Sequence, residues 1–288
     1  TRWTHLNEEY SVLTRLQAFA LDAHFMVEQM GRNEQHAFIN FNGTGGMWRK
    51  SCIINAGNWH DDTLTEDLDL SYRAQQKGWK FIYRPDIKSP AELPPVMSAI
   101  KSQQFRWTKG GAECAVKHLG NVLSKKLPFK TKLHATAHLL NAVIFIAVLL
   151  VSLSSIPIWW AFHQGYIPES FFQAAAVFFV GFVIIALVYF FANLSLMDYS
   201  WKGIGRFLWE LPLFLAVSMG LALHNAQAVW EGLTGKRSPF IRTPKYNLEK
   251  SQKSWTKNIY NQIKIPFTTY IEGLLAVIFL MMVILSIH

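Results

Sequence analysis

The chain has 288 residues, 51% of them hydrophobic and only 16% charged, against about 25% charged in an ordinary soluble protein. Its formal net charge of +9 is patterned: Lys and Arg are absent from Leu133 through Trp201 and cluster on either side. Long apolar runs exclude a nucleic-acid binder built on a basic groove with aromatic platforms, so the excess charge suits anionic headgroups or a phosphorylated substrate.

Cys52 and Cys114 are the only cysteines, with no spacing for a metal and no framework for disulfides, which fits a reducing, cytosolic side. Residue 1 is Thr and no signal-peptide pattern follows it, so the chain is expected to be a fragment or a processed product.

Residues 1–132 read as α/β material of mixed charge, and the composition shifts abruptly at Leu133. Within this part, "NFNGTGGMWR" (Asn40 to Arg49) is a Gly-rich turn carrying an amide and a hydroxyl, where backbone can approach a ligand closely. Alone it reads as a structural turn. "TLTEDLDLSYRAQQKGWKFIYRPD" (Thr63 to Asp86) reads as an amphipathic helix followed by an aromatic strand. Thr63 with Glu66 matches a capping box, and Asp62, Glu66, Asp67 and Asp69 crowd the positive end of the helix dipole. Lys77 and Gly78 close the helix, and Trp79 to Tyr83 has strand bias stopped by Pro85. Taken alone, this is a well-capped surface helix. Downstream, "ELPPVMSAIKSQQFRW" starts a helix after two prolines, on which Gln103, Arg106 and Trp107 fall within about a turn. Arg forks onto phosphate oxygens, and Trp offers a flat apolar face to a sugar ring.

Leu133 to Phe162 and Phe171 to Met197 each exceed the ~20 apolar residues that span a bilayer, and their connector "HQGYIPES" lacks Lys and Arg. A helical hairpin with its loop outside follows from the positive-inside rule, with Asp198, Lys202 and Arg206 back in the cytosol. The run Phe207 to Trp230 has basic residues at both ends and contains Glu210, Pro212, His224 and Asn225, which favours an interfacial or re-entrant helix over a lipid-facing span. Ser238 to Lys264 is a polar, basic loop, and Phe267 to Ile287 is a last span. His134, His138 and His224 lack ligand spacing and read as structural.

"TED" at Thr65, Glu66 and Asp67, followed by Q-x-x-R-W at Gln103, Arg106 and Trp107, resembles the processive family 2 glycosyltransferases, which include cellulose, hyaluronan, chitin and mannan synthases. With "RWTHLN", "FNGTGG" and "PAELP", the chain most resembles the cellulose-synthase-like group of bacterial and plant glucomannan and mannan synthases. "FIRTPK" (Phe240 to Lys245) is similar to the gating-loop motif F-x-V-T-x-K, with Arg242 where Val is usual.

The resemblance implies the C-terminal half of an α/β nucleotide-diphospho-sugar transferase fold, followed by an α-helical membrane domain. It divides the chain into catalytic residues 1–94, interfacial helices 95–132 carrying Q-x-x-R-W, a transmembrane hairpin 133–197, a cytosolic interfacial helix 198–235, a gating-type loop 236–265 and a transmembrane helix 266–288. It implies a membrane-bound inverting transferase moving a hexose from GDP-mannose or UDP-glucose to a growing β-linked polysaccharide, with coupled translocation. The host would be a bacterial inner, plasma or Golgi-type membrane, with the catalytic part cytosolic. By this resemblance Asp67 is the general base, beside Glu66 and Thr65 of the same motif. Gln103 and Arg106 hold the donor diphosphate, Phe240, Thr243 and Lys245 close over the nucleotide, and Trp107 with Asn42, Gly43 and Thr44 lines the acceptor site. Asp62 and Asp69 are left to capping and solubility. A divalent cation, Mg2+ or Mn2+, is expected with its ligands in an upstream half whose D-x-D carboxylates have no counterpart before "TRWTHLN". Competing readings are a non-processive enzyme that glycosylates a lipid, a transporter, or an inactive membrane half-domain. Two spans free of charged residues speak against an ion pathway.

Overall fold

The structure is a computed structural model that describes residues 1–196, 200–246 and 266–287. The chain forms two compact units, Thr1–Ile144 with Gln227–Gln262 and Phe145–Ala226 with Ile263–His288.

The first unit opens with strand β1 (Arg2–His5), a 3-10 turn (Glu8–Tyr10) and helix α1 (Val12–Ala23). A capping box opens α1. Ser11 Oγ accepts the Thr14 N–H at 3.2 Å while Thr14 Oγ1 accepts the Ser11 N–H at 2.9 Å. A π-helical stretch (His24–Gln29), α2 (Met30–Glu34), α3 (Lys50–Asn55), α4 (Glu66–Gln76), strand β2 (Lys88–Ala91), α5 (Met97–Ser124) and α6 (Phe129–Leu139) follow. β1 and β2 pair in parallel with Arg2 opposite Lys88, and Pro90 is tolerated in an edge strand that needs no further N–H donor. This pair is the whole sheet among the described residues, so the unit is mostly helical.

Helix α4 is a central helix and not a surface one. Asp69, Leu70, Ser71, Tyr72, Ala74 and Gln75 are all buried. Leu70 and Ala74 pack with Cys52 and Ala56 of the α3 region, while Tyr72 joins Phe38 of the segment before α3 and Cys114, Ala115, Val122, Ala135 and Leu139 of α5 and α6. Burying a side chain such as Leu70 is worth about 2 kcal/mol. The helix begins at Glu66, with Thr65 in the cap position and no side-chain cap, so the expected Thr63 box is not formed. The turn is held from α5 instead, where Glu113 Oε2 accepts the Leu64 N–H at 2.7 Å. Gly78, at φ +90°, closes the helix as expected.

Trp79 to Tyr83 is not a strand. No neighbouring chain offers it a ladder among the described residues; its rings and amides find other partners. Phe81 meets Trp48 edge-on at 4.9 Å, the Trp79 indole N–H donates to Asn55 Oδ1 at 3.0 Å, and the Tyr83 N–H donates to Asn33 Oδ1 at 2.9 Å.

The second unit is built from α7 (Ile144–His163), α8 (Glu169–Ala175), α9 (Phe179–Leu194), α10 (Trp201–Gly220), the first turn of α11 (Ala222–Leu233), whose remainder from Gln227 belongs to the first unit, and α12 (Phe267–Ser286). Asn141–His163, Glu169–Leu194 and Phe267–Ser286 are long and apolar enough to cross a bilayer. The first of these starts after Leu133 because α6 turns Ala135 and Leu139 into the core around Tyr72. α10 and α11 meet at a 50° bend, the geometry of a broken span or a re-entrant loop. Within α10, the buried Glu210 accepts the Arg206 Nε–H at 2.7 Å, which keeps its charge compensated. The Trp159 indole N–H of α7 donates to Ser286 Oγ of α12 at 2.7 Å, beside a crevice of about 520 Å³ lined by Ile156, Pro157, Trp160 and Met281. Met197 and Asp198, where the second apolar run ends, and residues 247–264 of the polar loop lie outside the described residues.

Candidate active site

Asp67 sits in the first turn of α4, where two backbone amides meet its carboxylate. The Leu68 N–H donates to Oδ1 at 2.8 Å, and the Gly43 N–H points at the same group. Gly43 has φ +62°, and a Cβ added to it would stand 3.8 Å from Asp67 Oδ2, so the glycine-rich turn lies directly on the carboxylate. Burial pushes the Asp67 carboxyl up to about 6, Glu66 adds to the rise, and the backbone amides of Leu68, Gly43 and Asp67 itself oppose it. Such a group is a proton acceptor near neutral pH.

The turn is held in place by side chains of α4 that motif reasoning passes over. Gln75 Oε1 accepts the Ile39 N–H at 2.9 Å and its Nε2–H donates back to the Ile39 carbonyl at 2.7 Å, as a neighbouring strand would. Ser71 Oγ accepts the Phe41 N–H at 2.9 Å and donates to the Asp67 carbonyl at 2.6 Å. Asn40 donates to Asn42 Oδ1 within the turn, leaving Thr44 exposed at its tip. The period of α4 in the sequence hints at buried apolar positions, but nothing local marks Ser71 and Gln75 as partners for a segment ~30 residues earlier.

Helix α5 grips the other side of the turn that carries Thr65 to Asp67. A Cβ on Gly110 would fall 2.6 Å from the Thr65 side chain and 2.8 Å from its backbone N, so only glycine admits this approach. Cys114 Sγ lies 3.5 Å from Thr65 Oγ1, and burial pushes its thiol up to about 12, making it a packing residue rather than a nucleophile. One turn earlier on the same helix, Arg106 donates from Nη2 to Thr243 Oγ1 at 3.5 Å, and its guanidinium lies 4.7 Å above the Phe240 ring. The charges of Glu66, Asp67 and Arg242 all act on Arg106, whose pKa is drawn down chiefly by burial. The structure therefore brings Thr65, Glu66, Asp67, Gly43, Arg106, Phe240 and Thr243 together. Lys245 is placed apart from Arg106, donating to the Glu92 carbonyl at 3.0 Å. Trp107 is half-buried beside Trp3, ring centroids 6.4 Å apart, and Gln103 is half-buried a turn before it. Trp3 itself lies against the Gly-rich turn, where a Cβ on Gly45 would come within 2.9 Å of its indole nitrogen.

Asp69 is not a capping or solubilising carboxylate. It is fully buried and accepts from Arg73 Nε and Nη2 at 2.9 and 2.8 Å and from His118 Nε2 at 2.7 Å, with Lys117 Nζ at 2.8 Å. These donors hold its carboxyl well below the usual carboxylate range, even against burial. Asp62 shares Lys117 at 2.7 Å. His60, Asp62 and Asp69 are close enough to hold a metal ion. They do not fit one, because a dication there would displace or repel the Arg and Lys that already neutralise both carboxylates. His138 accepts or donates with the Tyr72 hydroxyl at 2.9 Å and burial draws its pKa down, consistent with a structural part.

The sequence profile of the glycosyl transferase family group 2 matches residues 3–224. Among curated relatives, glucomannan 4-beta-mannosyltransferase 2 of Arabidopsis thaliana is 32% identical over 275 residues, covering 90% of this chain and 46% of that protein. Glucomannan 4-beta-mannosyltransferase 1 of Oryza sativa subsp. japonica is 42% identical over 134 residues, 46% of this chain and 26% of the relative. Glucomannan 4-beta-mannosyltransferase 7 of Arabidopsis thaliana is 37% identical over 177 residues, 56% and 32% of the two chains. The chain thus spans less than half the length of the curated relatives it matches. No solved structure matches it. A profile that runs from β1 through the half of the molecule that holds Asp67, the glycine turn and Arg106, with relatives of one kind behind it, places this chain in the glycosyl transferase family group 2.

Proposed function

We propose that this chain carries the acceptor-activating half of a membrane-bound inverting hexosyltransferase, which moves a sugar from a nucleotide donor to the end of a β-linked polysaccharide. The observation that carries the reading is the Asp67 carboxylate, raised to about 6 and lying against Gly43, with Arg106 close enough for both carboxylates of the turn to act on it.

In this mechanism Asp67 takes the proton from the acceptor hydroxyl as that oxygen attacks the anomeric carbon of the donor, and the glycosidic C–O bond to the diphosphate breaks on the opposite face. The nucleoside diphosphate leaves with the electron pair of that bond. Arg106, helped by Gln103, meets the charge that builds on the leaving oxygens, which is the contribution a positioned guanidinium makes to phosphate departure. Its present contact with Thr243 and its stacking on Phe240 support a loop that lies over the diphosphate once donor is bound and keeps water away. Trp107 would stack on the terminal sugar of the acceptor, with Asn42, Gly43 and Thr44 along its edge. Lys245, held by Glu92 here, would reach the nucleotide only after the loop moves.

The names of the relatives point to mannose as the sugar transferred, hence GDP-mannose, with UDP-glucose as the rival donor. A divalent cation for the diphosphate is not assigned to residues of this chain. The three span-length helices support membrane residence, and the patterned charge supports a cytosolic face for Asp67. Repeated addition without release, and passage of the product through the helices, complete the proposal. Membranes containing the full-length protein, incubated with labelled GDP-mannose and UDP-glucose in turn, test it. A β-linked polymer ladder from one donor is expected. A single organic-soluble glycolipid, or no product with either donor, would overturn it.

A further inference from the structure

Helix α5 carries at Lys109 a fully buried ammonium, one turn from Arg106 and next to Gly110. Burying such a group is costly unless it is paired, and this one is. Lys109 Nζ lies 3.2 Å from Glu231 Oε2 of α11 and donates to Ser238 Oγ, the residue from which the chain runs on to Phe240 and Thr243. The second oxygen of Glu231 is occupied as well, by Lys236 Nζ at 2.8 Å and Gln227 Nε2 at 3.0 Å. The helices touch backbone to backbone at this point: a Cβ on Gly232 would stand 2.7 Å from the Lys109 carbonyl oxygen and 2.8 Å from Ala112 Cβ.

We propose that Lys109 and Glu231 form a buried clamp that fixes the root of the Phe240–Lys245 loop to the Q-x-x-R-W helix, making Lys109 a positioning residue for that loop. The inference rests on reading the loop as the lid of the donor site. The physical consequence is the length of the tether. With Ser238 held at Lys109, five residues separate the root from Thr243, a reach of at most about 17 Å. The loop then returns to Arg106 on the same helix, about 5 Å along its axis. Without the clamp, the last fixed point is Lys236, whose N–H still donates to the Glu231 backbone carbonyl at 3.0 Å. The tether lengthens from about five residues to about seven, and closing it on Arg106 becomes roughly 1.7-fold less favourable from chain entropy alone. Arg106 thus meets Thr243 often because Lys109 keeps the loop near.

Removing one charge would strand the other in the interior, so the test removes both. The full-length protein in membranes, wild type and K109M/E231L, is digested briefly with trypsin, and cleavage after Arg242 is followed against cleavage after the exposed Lys80. The clamp requires cleavage after Arg242 to rise about 1.5-fold or more in the double variant while cleavage after Lys80 stays unchanged. L139A, which opens the core on another side of α5, should not raise the Arg242 rate selectively. Should the double variant fail to insert, S238A replaces it, removing only the loop's own bond, and a smaller selective rise is required. An unchanged Arg242 rate, or an equal rise at both sites, overturns the clamp. Adding guanosine or uridine diphosphate separates the two claims: selective cleavage in the variant with no nucleotide protection of the wild type keeps the clamp and sinks the lid.

Discussion

Replacing Asp67 by Asn tests the proposed base through two readouts that ordinary damage would not move together. The first is rate. A positioned general base contributes about 10²–10⁴-fold, so the Asn variant should lose transfer by at least about a hundredfold while remaining in the membrane. The second is stability, with its sign set by the raised pKa. The carboxyl is moved from 3.8 to about 6, chiefly by burial. At about 1.36 kcal/mol per unit this is an upper bound near 3 kcal/mol, and we take about 1 kcal/mol because the group is only part-buried. A raised carboxyl binds more protons folded than unfolded, so wild-type stability falls as pH rises from about 4 to about 6 and is level above. Asn carries no such penalty. Labelled sugar transfer by full-length protein, measured from pH 5 to 8, should rise through an apparent pKa near 6 in the wild type. Thermal midpoints of the solubilised protein should show the Asn variant at or above wild type at pH 7 and the advantage gone at pH 4. Transfer within about fivefold of wild type, or an Asn variant that melts lower at pH 7, would refute the assignment.

Trp107→Ala should lose polymer length before it loses donor hydrolysis, as product gels against released nucleoside diphosphate would show; equal loss of both would count against stacking on the acceptor. In Gly110→Ala the new methyl would overlap Thr65, where the space is 2.6 Å, so activity should fall by about tenfold or more with KM for donor little changed. Gln75→Leu leaves the Ile39 amide and carbonyl buried without their partners, which should cost about 1–3 kcal/mol in thermal or denaturant stability and loosen the Gly43 turn. Asp69→Asn strands Arg73 and Lys117 beside a neutral group and should destabilise by about 3 kcal/mol at neutral pH. Because the pKa of Asp69 is lowered, its contribution is present above the unfolded carboxylate value near 3.9 and is lost as pH falls below it, so the two proteins should converge in acid.

The motifs themselves were legible. Thr65-Glu66-Asp67, the spacing from Gln103 to Trp107, the glycine turn at Asn42 to Thr44 and the loop at Phe240 to Lys245 are local strings, and a string survives in the sequence whatever surrounds it. The helix after Pro94 and Pro95, the Gly78 stop and the apolar stretches of bilayer length were equally readable, because proline chemistry, positive φ and hydropathy act within a few residues. The aromatic run from Trp79 to Tyr83 misled for a matching reason: strand bias is a preference for a pleated, paired surface, and no local signal says whether a partner exists.

What the order of residues alone determined, then, is the family, the apolar stretches of bilayer length and the motif residues on which the proposed chemistry rests. Only the tertiary structure decided that α4 is buried on almost every side, that Asp69 is an internal ion-pair hub and no surface cap, that Gln75 and Ser71 carry the glycine turn onto Asp67, and that Lys109 reaches Glu231 and Ser238. Each of these joins positions distant in the chain, and the free energy of burying a charge or an amide depends on which partner folding brings to it.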